Sequence, residues 1–476
     1  MSAVNIYAHL RKCLVVLTCL LLLSSFCKAQ YLDEISVKLH QPSDLKKDVS
    51  LVQTTLEKEN PNLYLYISKK KLSHQFDSLR NTIKEPLTSI ALYVKLLGVI
   101  SGIGDGHLTL NIDVSKLTPS DVAYLKKPLP QHPIYQFSYR VIANRLYISK
   151  NFSADSTLRE GTEILRINGM IAAKLIDSLN QYITSDGYNT TFKKFLMNER
   201  GLFSERYRFL FPKKEPLNFE LQSEKGIRKI TLNVFQKSGY DSSGLVQPAS
   251  TAYKLLTADS NIAYLKLSSF YNVDKQTGYH PYFKDIKTRG LKTLIIDLRG
   301  NTGGETGWAA TVYSFLIDTP TYFYRLPSEI ARQRLLYDNP KIKDWVKGAS
   351  HLKYPIVTPD TNGFKGKVYV LINGGSFSAT SLLAANLRSL KNVTFVGEET
   401  GGSKNVWTAG YLKKITLPSS KLLLEYGIVP AYFGDLSSLD GHGLMPDVPI
   451  SYSIDDYLSK KDLELDWVLK DIAGKK

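Results

Sequence analysis

The sequence predicts an α/β fold with a helical N-terminal region and a β-rich insertion, and three stretches of the chain indicate it. Between residues 43 and 103, apolar side chains recur at the spacing of amphipathic helices. Short β-rich runs dominate residues 133–237. After residue 250, apolar strands alternate with helices, as is typical of a layered α/β core. A chain of 476 residues is long enough for two or three domains.

These patterns divide the chain into five predicted segments. They are a leader, a helical region, a β-rich domain, an α/β core and a C-terminal helix, at residues 1–29, 30–125, 130–240, 250–455 and 456–476. Residues 325–355 fit none of these patterns, so their role stays open.

The helical region is indicated by apolar residues three and four positions apart. The two sets are Leu72, Phe76, Leu79 and Ile83, and Leu92, Leu96, Leu97 and Ile100. Thr88 is the predicted cap of the second helix, and the region leads into Gly104-Asp105-Gly106-His107.

The core is indicated by four apolar strands and one helix. The predicted strands are Ile262–Leu267, Leu291–Asp297, Lys367–Asn373 and Val393–Glu398, and the helix is Ala379–Leu390.

The leader has the composition of a signal peptide. Residues 1–29 contain no acidic residue, Arg11 and Lys12 precede an apolar run, and a small residue ends the segment before Gln30. We therefore expect cleavage before Gln30 and export to the periplasm or the medium.

Two alternatives for the leader stay open. A membrane anchor is disfavoured because the apolar run 13–23 is roughly half the ~20 residues that a spanning helix needs. A lipid anchor on Cys27 is disfavoured because Phe26 stands where a lipoprotein signal carries a small residue.

Cysteine usage and charge exclude several functions. All three cysteines lie in the leader, so the mature chain has no disulfide framework, thiolate zinc site or thiol nucleophile. The formal charge of +17 becomes +14 without the leader. The lysines are dispersed among acidic residues with no basic stripe and interleaved aromatics, which argues against nucleic-acid binding.

Two glycine-rich turns could carry chemistry. In 294–304 an apolar strand ends in Gly303-Gly304, where successive backbone N–H groups could stabilise an oxyanion, although a tight turn alone also requires glycine. In 370–381 a strand and a glycine turn lead to Ser378 at a helix start. Serine at that position is usually a cap, but the helix N-terminus also favours negative charge on its oxygen.

Together these segments resemble the tail-specific, or C-terminal processing, serine peptidase family, with its "IxDLRxNxGG" strand end and "GxxSAxE"-like serine turn. The resemblance extends to residues 264–270, 396–402 and 443–448. It implies a crotonase/ClpP-like protease core, and the segment 161–169 resembles the central strand and turn of a PDZ domain.

The resemblance also implies roles for individual residues. Ser378 would be the nucleophile, and the oxyanion donors would be the N–H of Ala379 and of Gly303 or Gly304. Which of the two glycines donates is left open.

The family has two solutions for the general base. In the branch with a serine–lysine dyad, the lysine position falls on Ser403 with Lys404 adjacent, and such a lysine needs burial to lower its pKa from ~10.4. In the tricorn-like branch the helical region ends in "DGHT", which residues 105–109 resemble. His107 then becomes the base, because imidazole titrates near neutrality.

A carboxylate should orient that histidine. The resemblance places it at Asp440, with Asp435 and Glu398 as rivals. No HExxH motif is present and nothing supplies a second ligand beside His442, so we expect no catalytic metal and no cofactor.

The expected substrate is a peptide or an unfolded protein segment, and the PDZ-like domain could select chain ends by β-augmentation. Two other functions stay possible on the same fold. One is non-catalytic ligand binding, as in the retinoid-binding repeats of the eye, and the other is a small-molecule esterase or amidase. The oligomeric state is open.

Overall fold

The computed structural model describes residues 38–112, 129–213, 215–237, 251–256, 261–271, 273–274, 276–325, 356–437 and 439–474. The predicted leader and almost all of residues 325–355 lie outside these ranges. Within them, no helix combines the length and the apolar character needed to cross a bilayer.

Three helices form the N-terminal region, namely α1 (Pro42–Glu59), α2 (Lys69–Thr82) and α3 (Ser89–Ser101). The hydroxyl of Thr88 accepts a hydrogen bond from Ala91 N–H, so Thr88 caps α3 as its sequence position predicts. The apolar faces of the helices pack in one core, which extends onto residues 417–429 of the C-terminal half.

A β-rich part follows, and its main sheet is antiparallel. Its strands are β1 (Thr109–Ile112), β2 (Leu129–Gln131), β3 (Phe137–Ile142), β4 (Arg145–Asn151), β5 (Glu163–Ile167), β6 (Met170–Ile171), β7 (Leu217–Ser223), β8 (Gly226–Leu232) and β9 (Phe235–Lys237). The sheet has the order β3-β4-β5-β7-β8 with β6 on β5, whereas β2 pairs with β9 and β1 joins another sheet. Helices α4 (Ala172–Asn180), α5 (Thr191–Glu199) and α6 (Leu202–Leu210) stand between β6 and β7.

The α/β core is a six-stranded sheet of order β10-β11-β12-β15-β16-β21, parallel except for β10. The strands from this half are β10 (Ala252–Leu255), β11 (Ile262–Lys266), β12 (Thr293–Asp297), β13 (Thr321–Tyr322), β14 (Ile356–Val357), β15 (Lys367–Ile372), β16 (Val393–Gly397), β17 (Val406–Trp407), β18 (Leu412–Thr416), β19 (Leu422–Gly427), β20 (Ala431–Tyr432) and β21 (Val448–Pro449). The helices are α7 (His280–Thr288), α8 (Thr306–Ser314), α9 (Ala379–Leu387), α10 (Ile454–Leu458) and α11 (Leu463–Gly474). Helices α7, α8 and α9 cover one face of the sheet and α11 covers the other, so both faces are buried.

A buried ion cluster ties α11 to the carboxyl end of β12. Arg299 donates to Asp297, Asp462 and Glu464 at 2.7–3.0 Å. Against the opposing effect of burial, the charge of Arg299 keeps the pKa of Asp297 below its ordinary value. The aspartate and arginine of the "DLR" motif therefore serve the architecture of the core.

A second sheet joins the N-terminal region to the core. Strand β1 pairs antiparallel with β19, and β19 pairs with β18. Thr109 lies opposite Glu425, although more than 300 residues separate them in the chain. Because β1 starts two residues after His107, this pairing fixes the histidine loop against the core.

Candidate active site

The nucleophile turn connects β15 to α9 and is bonded to the turn after β12. Ser376 Oγ donates to the carbonyl of Leu298 at 2.9 Å, and Phe377 N–H donates to the carbonyl of Asn301 at 3.1 Å. Ser378, the residue before α9, has φ +58° and ψ −126°. A non-glycine residue in such a conformation costs on the order of 1–3 kcal/mol, and such strain clusters at functional sites. The turn thus holds the Ser378 side chain half-buried beside the other glycine-rich segment.

His107 meets this serine. Its Nε2 lies 3.0 Å from Ser378 Oγ, within hydrogen-bond range. The imidazole ring stacks on Phe377 with 4.6 Å between ring centroids. The structure therefore brings together two residues that are 271 positions apart in the chain.

Burial lowers the pKa of His107 below 6.5, and the nearby carboxylates of Asp105 and Glu425 oppose the shift. The imidazole is consequently neutral at pH 7, and with its proton on Nδ1 it can accept the hydroxyl hydrogen of Ser378 at Nε2. Nδ1 is buried and has no hydrogen-bond partner among the described residues.

The backbone distinguishes the two candidate oxyanion glycines. Gly303 N–H donates to Asn301 Oδ1 at 2.9 Å, so this donor is already engaged. For Gly304 N–H and Ala379 N–H, no acceptor is found within the described part of the chain. Gly304 is the better candidate donor, together with Ala379.

Both glycines are required sterically. Gly303 has φ +101° and Gly304 has φ +138°. A Cβ on Gly303 would lie 2.7 Å from the Cβ of Ser378, and one on Gly304 would lie 2.4 Å from the carbonyl carbon of Phe270. The close approach of Gly303 to the serine, and of Gly304 to Phe270, therefore depends on the absence of side chains.

Two of the predicted site residues bind each other instead of the serine or the histidine. Lys404 Nζ donates to Asp440 Oδ2 at 2.7 Å, and Asp440 Oδ1 accepts from His442 N–H in its own turn. Asp440 is exposed, and its carboxylate accepts nothing from His107. The geometry thus does not support the predicted orienting role of Asp440, because local turn bonds and the Lys404 ion pair occupy its carboxylate.

The two rivals of Asp440 are also engaged elsewhere. Asp435 accepts from Ser437 N–H in an exposed turn, and Glu398 accepts from Lys194 Nζ at 2.6 Å.

Glu425 is the carboxylate that sequence reasoning missed. Its side chain is only 14% exposed and pairs with Lys414 Nζ at 2.7 Å. Its charge, after the larger effect of Asp105, opposes the lowering of the pKa of His107. It lies near His107 because β19 pairs with β1, which places Glu425 opposite Thr109, two residues after the histidine. Glu425 lies in a strand with no recognisable motif around it, so sequence reasoning had no basis for selecting it. Only knowing that β1, the strand after His107, pairs with β19 could have pointed to this residue.

Two further carboxylates, those of half-buried Asp105 and buried Asp186, lie beside His107. All four of their oxygens accept N–H groups: from His107 backbone and Asn60 side chain on Asp105, and from Gly106 and Ser403 backbone on Asp186. Oxygen and nitrogen atoms of Asp105, Asp186 and His107 lie within 4.8 Å of one another. Burial raises the pKa of both carboxyls, that of Asp186 to about 6.

Residues 261–450, which carry the serine turn and both glycine-rich segments, match the model of peptidase family S41. The core is a peptidase family S41 domain. The carboxy-terminal processing protease CtpA of Bacillus subtilis (strain 168) is 30% identical over 162 residues, which is 34% of this chain and 30% of that protein. The resemblance to tail-specific serine peptidases is thus confirmed for the S41 domain.

Solved structures share the fold over a longer stretch. Mature CPAF complexed with lactacystin superposes with a TM-score of 0.60 at 14% identity, covering 88% of this chain and 97% of CPAF. Mature CPAF alone gives a TM-score of 0.59 at 14% identity, with 87% and 94% covered. At this identity the likeness concerns the fold alone, and it confirms the predicted mixture of α and β elements around an S41 domain.

Proposed function

We propose that this chain is an exported serine endopeptidase that hydrolyses peptide bonds with Ser378 as nucleophile and His107 as general base. The observation that carries the proposal is the 3.0 Å contact between His107 Nε2 and Ser378 Oγ within an S41 domain. Export is inferred from the leader sequence alone.

The proposed reaction proceeds in two halves. Ser378 Oγ attacks the carbonyl carbon while His107 Nε2 takes the hydroxyl proton, and the N–H groups of Ala379 and Gly304 stabilise the oxyanion. The intermediate collapses as His107 returns the proton to the leaving amine, which leaves an acyl ester on Ser378. His107 then deprotonates a water that attacks this ester, and the acid product and the free serine are released.

For Glu425 we propose an electrostatic role in place of the orienting role that the resemblance gives to Asp440; the charge of Asp105 adds the larger effect on the imidazole. Its negative charge, on a side chain 14% exposed, stabilises the imidazolium that forms during attack. For Glu425→Gln we expect the rate of labelling by a fluorophosphonate to fall about tenfold at pH 7.5. The pH below which the labelling rate of this variant declines should also be lower than in the wild type, because without this charge the pKa of His107 falls further.

The matched variant for that measurement is Asp440→Asn, which removes a carboxylate from the exposed turn. We expect it to change the labelling rate less than about twofold, as is usual for surface charges. The reverse ranking of the two variants would restore Asp440 as the orienting residue.

The substrate we propose is a peptide or an unfolded protein segment, bound with its chain end near the β-rich part. Residues 130–240 are proposed to form a PDZ-like domain, and 250–455 a crotonase/ClpP-like core. The first assignment is supported by the antiparallel sheet formed by strands β3 to β8. It is also supported by the tight turn at Asn168-Gly169, in which both residues have positive φ. The name of the Bacillus relative, a carboxy-terminal processing protease, supports selection of chain ends.

The function is tested by comparing hydrolysis of a quenched peptide library with hydrolysis of short-chain esters. We expect cleavage of the peptides, and faster cleavage when the C-terminus is a free carboxylate than when it is amidated. Activity on esters alone would favour an esterase. If the folded protein neither cleaves peptides nor reacts with a fluorophosphonate, the ligand-binding alternative is favoured instead.

A further inference from the structure

A short segment after α4, which ends in the first two residues of α5, lies against both halves of the proposed active site. We call residues 185–192 the strap. Gly187 N–H donates to the carbonyl of Gly104 at 2.8 Å, on the side of the histidine loop. Asn189 Nδ2 donates to the carbonyl of Thr400 at 2.8 Å, on the side of the core. The strap therefore bridges the two parts of the chain that supply the base and the nucleophile.

Within the strap, the Asp186 carboxylate makes this bridge immediately next to the reacting groups. Its Oδ1 accepts from Gly106 N–H at 2.8 Å, and its Oδ2 accepts from Ser403 N–H at 3.0 Å. Gly106 directly precedes His107. Ser403 directly follows Gly402, where an added Cβ would lie 3.0 Å from the backbone nitrogen of Ser378.

We propose that Asp186 is a positioning residue for the peptidase reaction, whose ionised carboxylate holds the His107 loop in register with the Ser378 turn. The inference rests on the proposed function and adds to it a residue outside the S41 domain. Asp186 is 6% exposed, and each of its oxygens accepts one backbone amide, so the bridge requires two acceptors.

The charges around Asp186 make this bridge sensitive to pH. Tyr66, Asp105 and His107 face it, and the amine of Lys404, next to Ser403, is paired with Asp440. No cation pairs with Asp186 among the described residues, and its burial raises its pKa to about 6. A protonated carboxyl would present an O–H to a backbone N–H, so the bridge weakens as pH falls through this range.

The test is the rate of fluorophosphonate labelling of the purified protein between pH 4.5 and 8. In the wild type two groups, His107 and Asp186, must each lose a proton, so log rate should rise with pH at a limiting slope of two. Asp186→Asn keeps the volume but replaces one acceptor with an NH2 group. We expect its slope to be one, and its rate at pH 7.5 to be about 10- to 100-fold lower, as misplacement of a reacting group predicts.

Three controls separate positioning from general stability. Asn189→Ala loosens the same strap but should keep the slope of two, even if the rate or the melting temperature falls. Asp186→Glu retains an ionisable group with two acceptors and should also keep that slope. Asp177→Asn removes an exposed carboxylate from α4 and should change neither quantity.

A slope of two in folded Asp186→Asn would overturn the proposal, whatever happens to the rate. If that variant does not fold by circular dichroism, the wild type decides, since a labelling rate that shows no ionisation near pH 6 excludes a required carboxylate at Asp186. Absence of labelling in the wild type at every pH would instead reject the proposed function itself.

Discussion

Replacing Ser378 with alanine should abolish fluorophosphonate labelling and lower peptide hydrolysis roughly 10⁴- to 10⁶-fold, the range seen when serine peptidases lose a nucleophile. The physical reason is that Ser378 Oγ is the hydroxyl held 3.0 Å from His107 Nε2. No other group at this contact can form the acyl ester. The measurement is labelling at pH 7.5 followed by mass determination of the adduct.

The matched control is Ser389→Ala, two residues beyond the C-terminal end of α9. Ser389 is exposed, and its hydroxyl donates to the carbonyl of Asn386, so its loss should leave labelling unchanged. The positive φ at position 378 costs serine and alanine a similar free energy. The substitution therefore adds no backbone strain, and we expect the turn to stay folded. Retained labelling of folded Ser378→Ala at the wild-type rate would remove this serine from the mechanism.

The core of this fold could be predicted from sequence because its strands are buried on both faces. Runs such as 293–297 and 367–372 are almost continuously apolar, and the glycine turns that follow them mark where they end. The predicted helix after Ser378 was three residues too long, since α9 ends at Leu387 where the buried face stops. Ends of elements depend on packing that the local sequence does not encode.

The site was predictable only where a motif marks it. Ser378 and His107 stand in motifs, and the structure brings them together. Glu425 and Asp186 stand in none. Strand pairing brings Glu425 near His107, and Asp186 lies on a segment that bridges two halves of the fold. Such long-range placement is a property of the tertiary structure, whereas the resemblance to a local family motif pointed to Asp440.

Replacing His107 with alanine should lower the labelling rate about 10³- to 10⁵-fold at pH 7.5, whereas Lys404→Ala should change it less than about twofold. Without the imidazole, no described group accepts the proton of Ser378, because the Lys404 amine is engaged with Asp440. A pKa lowered by burial keeps His107 neutral at this pH, so the rate lost is that of general-base catalysis.

Rescue with free imidazole distinguishes a missing base from a distorted site. The alanine variant leaves a ring-sized space against Phe377, on which the native imidazole stacks. Added imidazole should therefore restore part of the labelling of His107→Ala, and none of the labelling of Ser378→Ala. If Lys404→Ala instead loses labelling while His107→Ala keeps it, the serine–lysine dyad is the correct mechanism, and the close approach of His107 to Ser378 serves structure alone.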